Sequence, residues 1–245
     1  MAIAAMAETP TRALTTDVPH RRIDADDWAE IYVVGDVHGC RATLERLLDR
    51  LDPSPDDLVV FVGDLVRKGP DSEGVVDLVR ERPNFRSVRG NNEQKLLDGR
   101  KSLVSFSEED LAYVRSLPVV LSWDDTMVVH GGIDHRKPLA EHSVTELLNA
   151  QSLHPDGGYT RPFWFETRRQ GPRIFFGHTV LSEPFATEWA VGLDTGCVYG
   201  GQLTAYACST GEFVAVDPPE AFRSRSADSI VDPSPERPRL ERCDD

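Results

Sequence analysis

Three stretches decide the fold: Ile31-Tyr-Val-Val-Gly35-Asp36-Val37-His38-Gly39, Leu58-Val-Val-Phe-Val-Gly63-Asp64, and Ser87-Val-Arg-Gly90-Asn91-Asn92-Glu93. Each runs through apolar or β-branched residues into a glycine followed by a side chain that can ligate a metal. That order is the signature of a strand, a tight turn and a functional residue, and a helical stretch precedes the next strand. In open parallel sheets, sites form at the carboxyl ends of strands. The pattern therefore puts Asp36, His38, Asp64 and Asn91 around one crevice. Carboxylate, amide oxygen and imidazole nitrogen suit a divalent Mn, Fe, Zn, Ni or Mg ion. One carboxylate shared between two ions is a common way to hold a pair about 3.5–4 Å apart.

The residues between these blocks support the same architecture. Leu44, Leu47, Leu48 and Leu51 recur at i, i+3, i+4 and i+7, the stripe of an amphipathic helix over residues 41–51. A second helix is expected over residues 71–82, with Asp71 or Ser72 as its cap. Residues 93–104 read as a polar helix, and Ser107 opens another. Residues 118–123 and 126–129 read as two strands around the turn Asp124-Asp125. A helical cap and substrate-facing loop is expected over residues 138–169. A strand over 173–176 follows, then three strands over 189–193, 202–208 and 213–216, read as one antiparallel edge in the second layer of a sandwich.

At 245 residues and 40% apolar content, the chain suits one α/β domain with tails and can bury a full core. Residues 1–29 lack a clear period and read as a flexible leader. Residues 30–217 form the domain, and residues 218–245, rich in proline, serine, arginine and aspartate, read as a disordered tail. The start of the chain has no basic segment followed by an apolar run, and no apolar span reaches membrane length. A cytoplasmic protein without a membrane partner is expected. The formal charge of −14 disfavours nucleic acid as a general partner. It fits either an ordinary solvated acidic surface or adaptation to a high-salt cytoplasm. The four cysteines form no CxxC pair and are expected to be reduced, without a metal role.

The three blocks, followed by Val128-Val129-His130-Gly131-Gly132 and Gly177-His178-Thr179, resemble the calcineurin-like metallophosphoesterases. Their order and spacing look like the phosphoprotein phosphatase branch, with its motifs GDxHG, GDxVDRG, GNHE, HG and a late GH. Asp194-Thr195-Gly196 with Gly200-Gly201 adds a turn that also resembles the family. The resemblance implies an α/β fold in which a β-sandwich is flanked by helices, α/β/β/α. It implies two divalent ions, manganese foremost. Asp36, His38 and Asp64 would hold the first, and Asp64, Asn91, His130 and His178 the second. These six would be the catalytic set. Lys68 stands where the family has a phosphate-binding arginine, and Arg168 or Arg169 would supply a second phosphate contact.

Two departures bear on chemistry. The histidine of GNHE, which would protonate the leaving oxygen, is replaced by Asn92, and the aspartate of GDxVDRG, which would orient it, by Arg67. An amide hydrogen-bonds phosphate oxygens but does not donate a proton for catalysis. The resemblance implies metal-dependent hydrolysis of phosphate monoesters, with a Ser/Thr phosphoprotein phosphatase as the reading the motif set most directly gives. A nucleotide-anhydride hydrolase similar to diadenosine tetraphosphatase is the alternative, favoured by the run Lys68-Gly-Pro-Asp-Ser72. A weakly active module that binds a phosphorylated ligand is a third reading. The expected partner is a phosphoprotein or a nucleotide.

Overall fold

A computed structural model describes Leu14 and residues 17–233. The first sheet is built on β2 (Ile31–Val34), β3 (Leu58–Phe61) and β4 (Phe85–Ser87), which run parallel. Their crossovers are α1 (Arg41–Leu51) and α2 (Ser72–Arg80). Side chains alternate across each strand. Ile31, Val33, Leu58, Val60 and Val62 enter the layer between the sheets. Val34, Val59 and Phe61 point the other way, onto Leu44, Leu47, Val75 and Val76 of the two helices. The stripe read from the sequence is thus the buried face of α1, where truncating one leucine to alanine costs about 2–5 kcal/mol. Asp71 caps α2 by accepting from the Gly74 N–H at 2.8 Å.

The second sheet has six strands in the order β1-β5-β6-β7-β9-β8. They are β1 (His20–Arg22), β5 (Val120–Trp123), β6 (Thr126–Val129), β7 (Arg173–Phe176), β8 (Phe185–Ala186) and β9 (Ala190–Gly192). Val128, Phe175 and Val191 meet the first sheet across the middle layer. Met127, Val129, Ile174 and Phe176 face outward onto Leu147 of α5 (Val144–Asn149) and onto Trp164 and Phe165 of α6 (Trp164–Thr167). Helices therefore cover both outer faces, and the expected α/β/β/α order is met. Between the halves lie α3 (Asn91–Leu97) and α4 (Glu108–Ser116), the latter capped by Ser107.

Three expectations are corrected. The last strands do not form one edge: β10 (Leu203–Ala207) and β11 (Glu212–Val216) extend the first sheet, with β10 antiparallel to β2, whereas β9 joins the second, parallel to β7. Strand-like composition does not say which open sheet edge a strand will join. The leader is folded from residue 17 onward. β1 pairs with β5 through backbone hydrogen bonds, Val18 is buried, and His20 Nε2 lies 2.8 Å from Ser122 Oγ. Three residues reading His-Arg-Arg carry no apolar period, so their pairing leaves no trace in hydropathy. The tail is also docked as far as residue 233. Val231 is buried, its N–H donates to Val180 O at 2.8 Å, and its carbonyl accepts from the Ser182 N–H at 2.9 Å. The rest of the expected leader (residues 1–13, 15 and 16) and of the expected tail (residues 234–245) lies outside the described residues.

Candidate active site

Each site residue leaves the end of a strand. Asp36 and His38 follow β2, Asp64 follows β3, Asn91 begins α3 after β4, His130 follows β6, and His178 follows β7. The two sheets thus contribute to one crevice at their shared edge. Close backbone approach is built in at two glycines. A Cβ on Gly177 would lie 1.9 Å from Asp36 Oδ1, and one on Gly63, already at φ +95°, would lie 2.7 Å from Gly90 N. Three of the side chains sit on left-handed backbone: His38 at φ 51°, Asp64 at 52° and His178 at 63°. Such conformations cost free energy for residues other than glycine and cluster at functional sites.

The candidate ligand atoms of Asp36, His38 and Asp64 converge. Oxygens of Asp36 and Asp64 and a nitrogen of His38 all lie within 4.8 Å of one another. His38 Nε2 is 3.7 Å from Asp36 Oδ2 and 3.7 Å from Asp64 Oδ2, and His130 Nε2 is 3.4 Å from Asp64 Oδ1. Asp64 therefore presents one oxygen to each histidine. Asn91 Nδ2 donates to His178 Nδ1 at 2.8 Å, so the sixth residue meets the fourth. The His178 N–H points at both Asp36 oxygens at 3.3 Å.

The imidazoles are oriented as metal ligands are. His130 Nδ1 lies 2.9 Å from Val62 O and His38 Nδ1 lies 3.2 Å from Val66 O. A carbonyl at Nδ1 fixes one proton there and directs Nε2 to the ion, the arrangement typical of metal-bound histidine, and His130 takes that form once its second proton is released. His130 Nε2 is buried with no hydrogen-bond partner. Together with two carboxylates and an amide oxygen, this orphaned nitrogen fits a divalent ion.

The electrostatics agree. Burial, and then the nearby Lys68 ammonium, lower the His38 pKa to about 3. Burial, and then His130, lower that of His178 to about 3. Both rings stay neutral, as ligands must. For His130, burial is outweighed by Asp64 and Asp36, which push it up to about 10. In turn, His130 and His38 hold Asp64 well below the usual carboxylate range despite its burial.

Several functional neighbours carry little sequence signal. Glu93, fully buried, accepts from the backbone N–H groups of Asp64, Val66 and Gly90 at 2.9, 3.1 and 2.7 Å. It ties the second block to the third. Its position three residues after Gly90, at the start of α3, is that of a capping-box glutamate, and this is the signal that points to it. Burial, followed by Asp64, raises its pKa to about 7. Asp194 is buried near Asp36 and Lys68 and accepts from the Gly196 N–H at 3.1 Å. Tyr199 and Arg225 form another flank. Lys68 Nζ stands 5.3 Å from the centre of the Tyr199 ring and the Arg225 guanidinium 4.8 Å from it.

The expected phosphate contacts divide. Lys68 lies at the centre, with Nζ 2.7 Å from His38 Nε2. Asn92 is buried. Its N–H donates to Asp64 Oδ1 at 2.8 Å, its amide Nδ2 donates to Asp64 Oδ2 and Asn91 Oδ1, and Arg67 donates to its Oδ1. Arg168 and Arg169 do not join the group. Arg168 donates to Pro172 O and Arg169 to Glu166 O and Arg168 O, which closes the segment after α6 upon itself. Arg168 instead lines a separate hollow with His135, Met127 and Ile174.

The sequence profile of the calcineurin-like phosphoesterases matches residues 29–189. The chain is 32% identical over 216 residues to serine/threonine-protein phosphatase 1 of Salmonella typhimurium, covering 76% of this chain and 94% of the relative. It is 31% identical over 226 residues to an asymmetrical bis(5′-nucleosyl)-tetraphosphatase of Halalkalibacterium halodurans, covering 75% and 92%. A crystal structure provisionally described as a diadenosine tetraphosphatase superposes with a TM-score of 0.72 at 30% identity, over 82% of this chain and 98% of the other. The chain belongs to the calcineurin-like phosphoesterase family. It is a phosphoesterase whose family implies divalent metal ions. Among the described residues, no helix is long and apolar enough to cross a membrane.

Proposed function

We propose that this phosphoesterase hydrolyses phosphoanhydrides of nucleoside polyphosphates, with Asp36, His38 and Asp64 holding one ion, and Asp64, Asn91, His130 and His178 a second. Manganese suits this mixed oxygen and nitrogen set. Ions held there supply an activated water near neutral pH and neutralise phosphate oxygens as charge develops. Asp64 keeps both oxygens directed inward because Asn92 and the two histidines fix its plane. Lys68 adds a fixed positive charge beside Asp64.

The observation that carries the substrate class is the Arg67–Asn92 pair. Where the resemblance would put an acid dyad, the guanidinium donates to the amide oxygen, and the amide N–H groups face Asp64 and Asn91. The pair holds no transferable proton near neutral pH. General acid assistance contributes typically about 10²–10⁴-fold, and it matters most for leaving groups of high pKa. A serine alkoxide needs that proton, whereas a phosphate leaving group does not. The tetraphosphatase relatives support the same class. A second reading, a Ser/Thr phosphoprotein phosphatase, is supported by the Salmonella relative. The buried free thiols of Cys40 and Cys197 suit a reducing, cytoplasmic setting.

The test is a comparison of diadenosine tetraphosphate, p-nitrophenyl phosphate and a phosphoserine peptide with the manganese-loaded protein. The expected order in kcat/KM is anhydride and aryl ester well above phosphoserine. Phosphoserine turnover equal to or above the anhydride would favour the second reading.

A further inference from the structure

Beside Asn91 a cleft of about 600 Å³ opens between α3 and α5. Its volume is in the range of small-molecule sites. Asn91 forms the shared wall: its Nδ2 reaches His178 Nδ1 at 2.8 Å within the metal-ligand group and Asn149 Oδ1 at 3.4 Å within the cleft. The cleft is also lined by Lys95, Gln94 and the exposed Thr145, and by two carboxylates, Asp17 and Asp98.

Charge is distributed unevenly here. The chain carries −14 and only four lysines, yet two of them, Lys68 and Lys95, flank this one group of ligands. Lys95 follows Asn91 by one helical turn, and its Nζ donates to Asn91 Oδ1 at 3.1 Å. An ammonium has three donors, and this contact uses one. The other cations of the cleft are committed. Arg89 donates to Gln94 Oε1 and to the carbonyls of Arg115 and Leu117, and Arg100 donates to Asp98. The Lys95 ammonium is half-buried and lines the cleft.

We infer that this cleft is the subsite for the phosphate chain and nucleoside beyond the reacting phosphorus. Lys95 binds the distal phosphates with the donors that Asn91 leaves unused, and the nucleoside lies along the exposed Thr145 side of the cleft. This rests on the phosphoanhydride reading above and assigns the residues that would distinguish a nucleoside polyphosphate from a small monoester.

Three variants and two readouts test it. Lys95→Ala removes the charge, Lys95→Arg keeps it, and Thr145→Trp fills the cleft from an exposed position on α5. Lys95→Ala and Thr145→Trp are each expected to lower kcat/KM on diadenosine tetraphosphate at least tenfold more than on p-nitrophenyl phosphate, mainly through KM, while Lys95→Arg restores most of the difference. Calorimetry of metal-free protein with adenosine 5′-triphosphate should show at least tenfold weaker binding to Lys95→Ala. Equal losses on the two substrates, an equal loss on a phosphoserine peptide, or unchanged nucleotide affinity would overturn the assignment. If the unaltered protein cleaves no anhydride, the functional reading fails, and the calorimetric comparison alone decides whether the cleft binds nucleotide.

Discussion

His130 Nε2 lies 3.4 Å from Asp64 Oδ1, buried and without a hydrogen bond, while Asp64 Oδ2 lies 3.7 Å from His38 Nε2. One carboxylate thus faces both halves of the ligand group. Asp64→Asn replaces one oxygen by an N–H₂ that cannot ligate. Elemental analysis of manganese-loaded protein is expected to give close to two ions per chain, and the variant should lose both ions together with activity. Full metal content in Asp64→Asn would show that Asp64 does not bridge.

Proton release follows from the same pair. His130 keeps its proton in the metal-free fold because Asp64 and Asp36 overcome its burial and raise its pKa to about 10. The ligand form is neutral, so an ion bound at Nε2 must displace that proton. The sign is definite: below pH 10 the apparent affinity rises with pH, up to about tenfold per unit for one proton. Chelator competition at pH 6, 7 and 8 reads the slope. Affinity that falls or stays level across this range would mean that His130 is already neutral before binding.

The last described segment contributes to stability. Phe222 packs on the helix side of the first sheet, Val231 is buried against the second, and Arg225 stacks on Tyr199. Burying one valine contributes about 1.5–3 kcal/mol. Deletion of residues 218–245 should therefore lower Tm by roughly 5 °C or more, as read by calorimetry. A Tm unchanged by the deletion would mean that these contacts do not persist in solution.

The contrast between this segment and the core shows what the sequence makes legible. The periods of β2, β3 and α1 are visible because one buried face repeats every two residues or every three to four. The glycine-ligand junctions Gly35-Asp36, Gly63-Asp64, Gly90-Asn91 and Gly177-His178 are visible because close backbone approach leaves a local mark. Docking of β1 and Val231 is not, since a backbone ladder to β5 and one buried valine have no period. The cleft is equally silent, because Lys95 and Thr145 meet only through the packing of α3 and α5. Arg168 and Arg169 show the opposite error: arginines near a motif in sequence turn their guanidinium groups into their own loop.

The final prediction concerns the proton that this site does not hold. Arg67 donates to Asn92, and Asn92 donates to Asp64, so the two replacements form one bonded unit, and exchanging one alone leaves the other mismatched. Asn92→His alone would set a new imidazole against the Arg67 guanidinium, which disfavours the protonated ring that an acid requires. Arg67→Asp with Asn92→His supplies both the proton carrier and the carboxylate that orients it. Hydrolysis of phosphoserine should then rise by about 10²-fold or more, equivalent to at least about 3 kcal/mol of barrier. Hydrolysis of p-nitrophenyl phosphate should change only a few-fold, because its leaving group departs without a proton. Asn92→His alone should gain less than the double variant. Metal content, measured alongside, separates loss of the site from failure of the acid. A double variant that binds metal normally yet raises neither substrate would show that another group already delivers the proton, and the preference for anhydrides would then need a different cause.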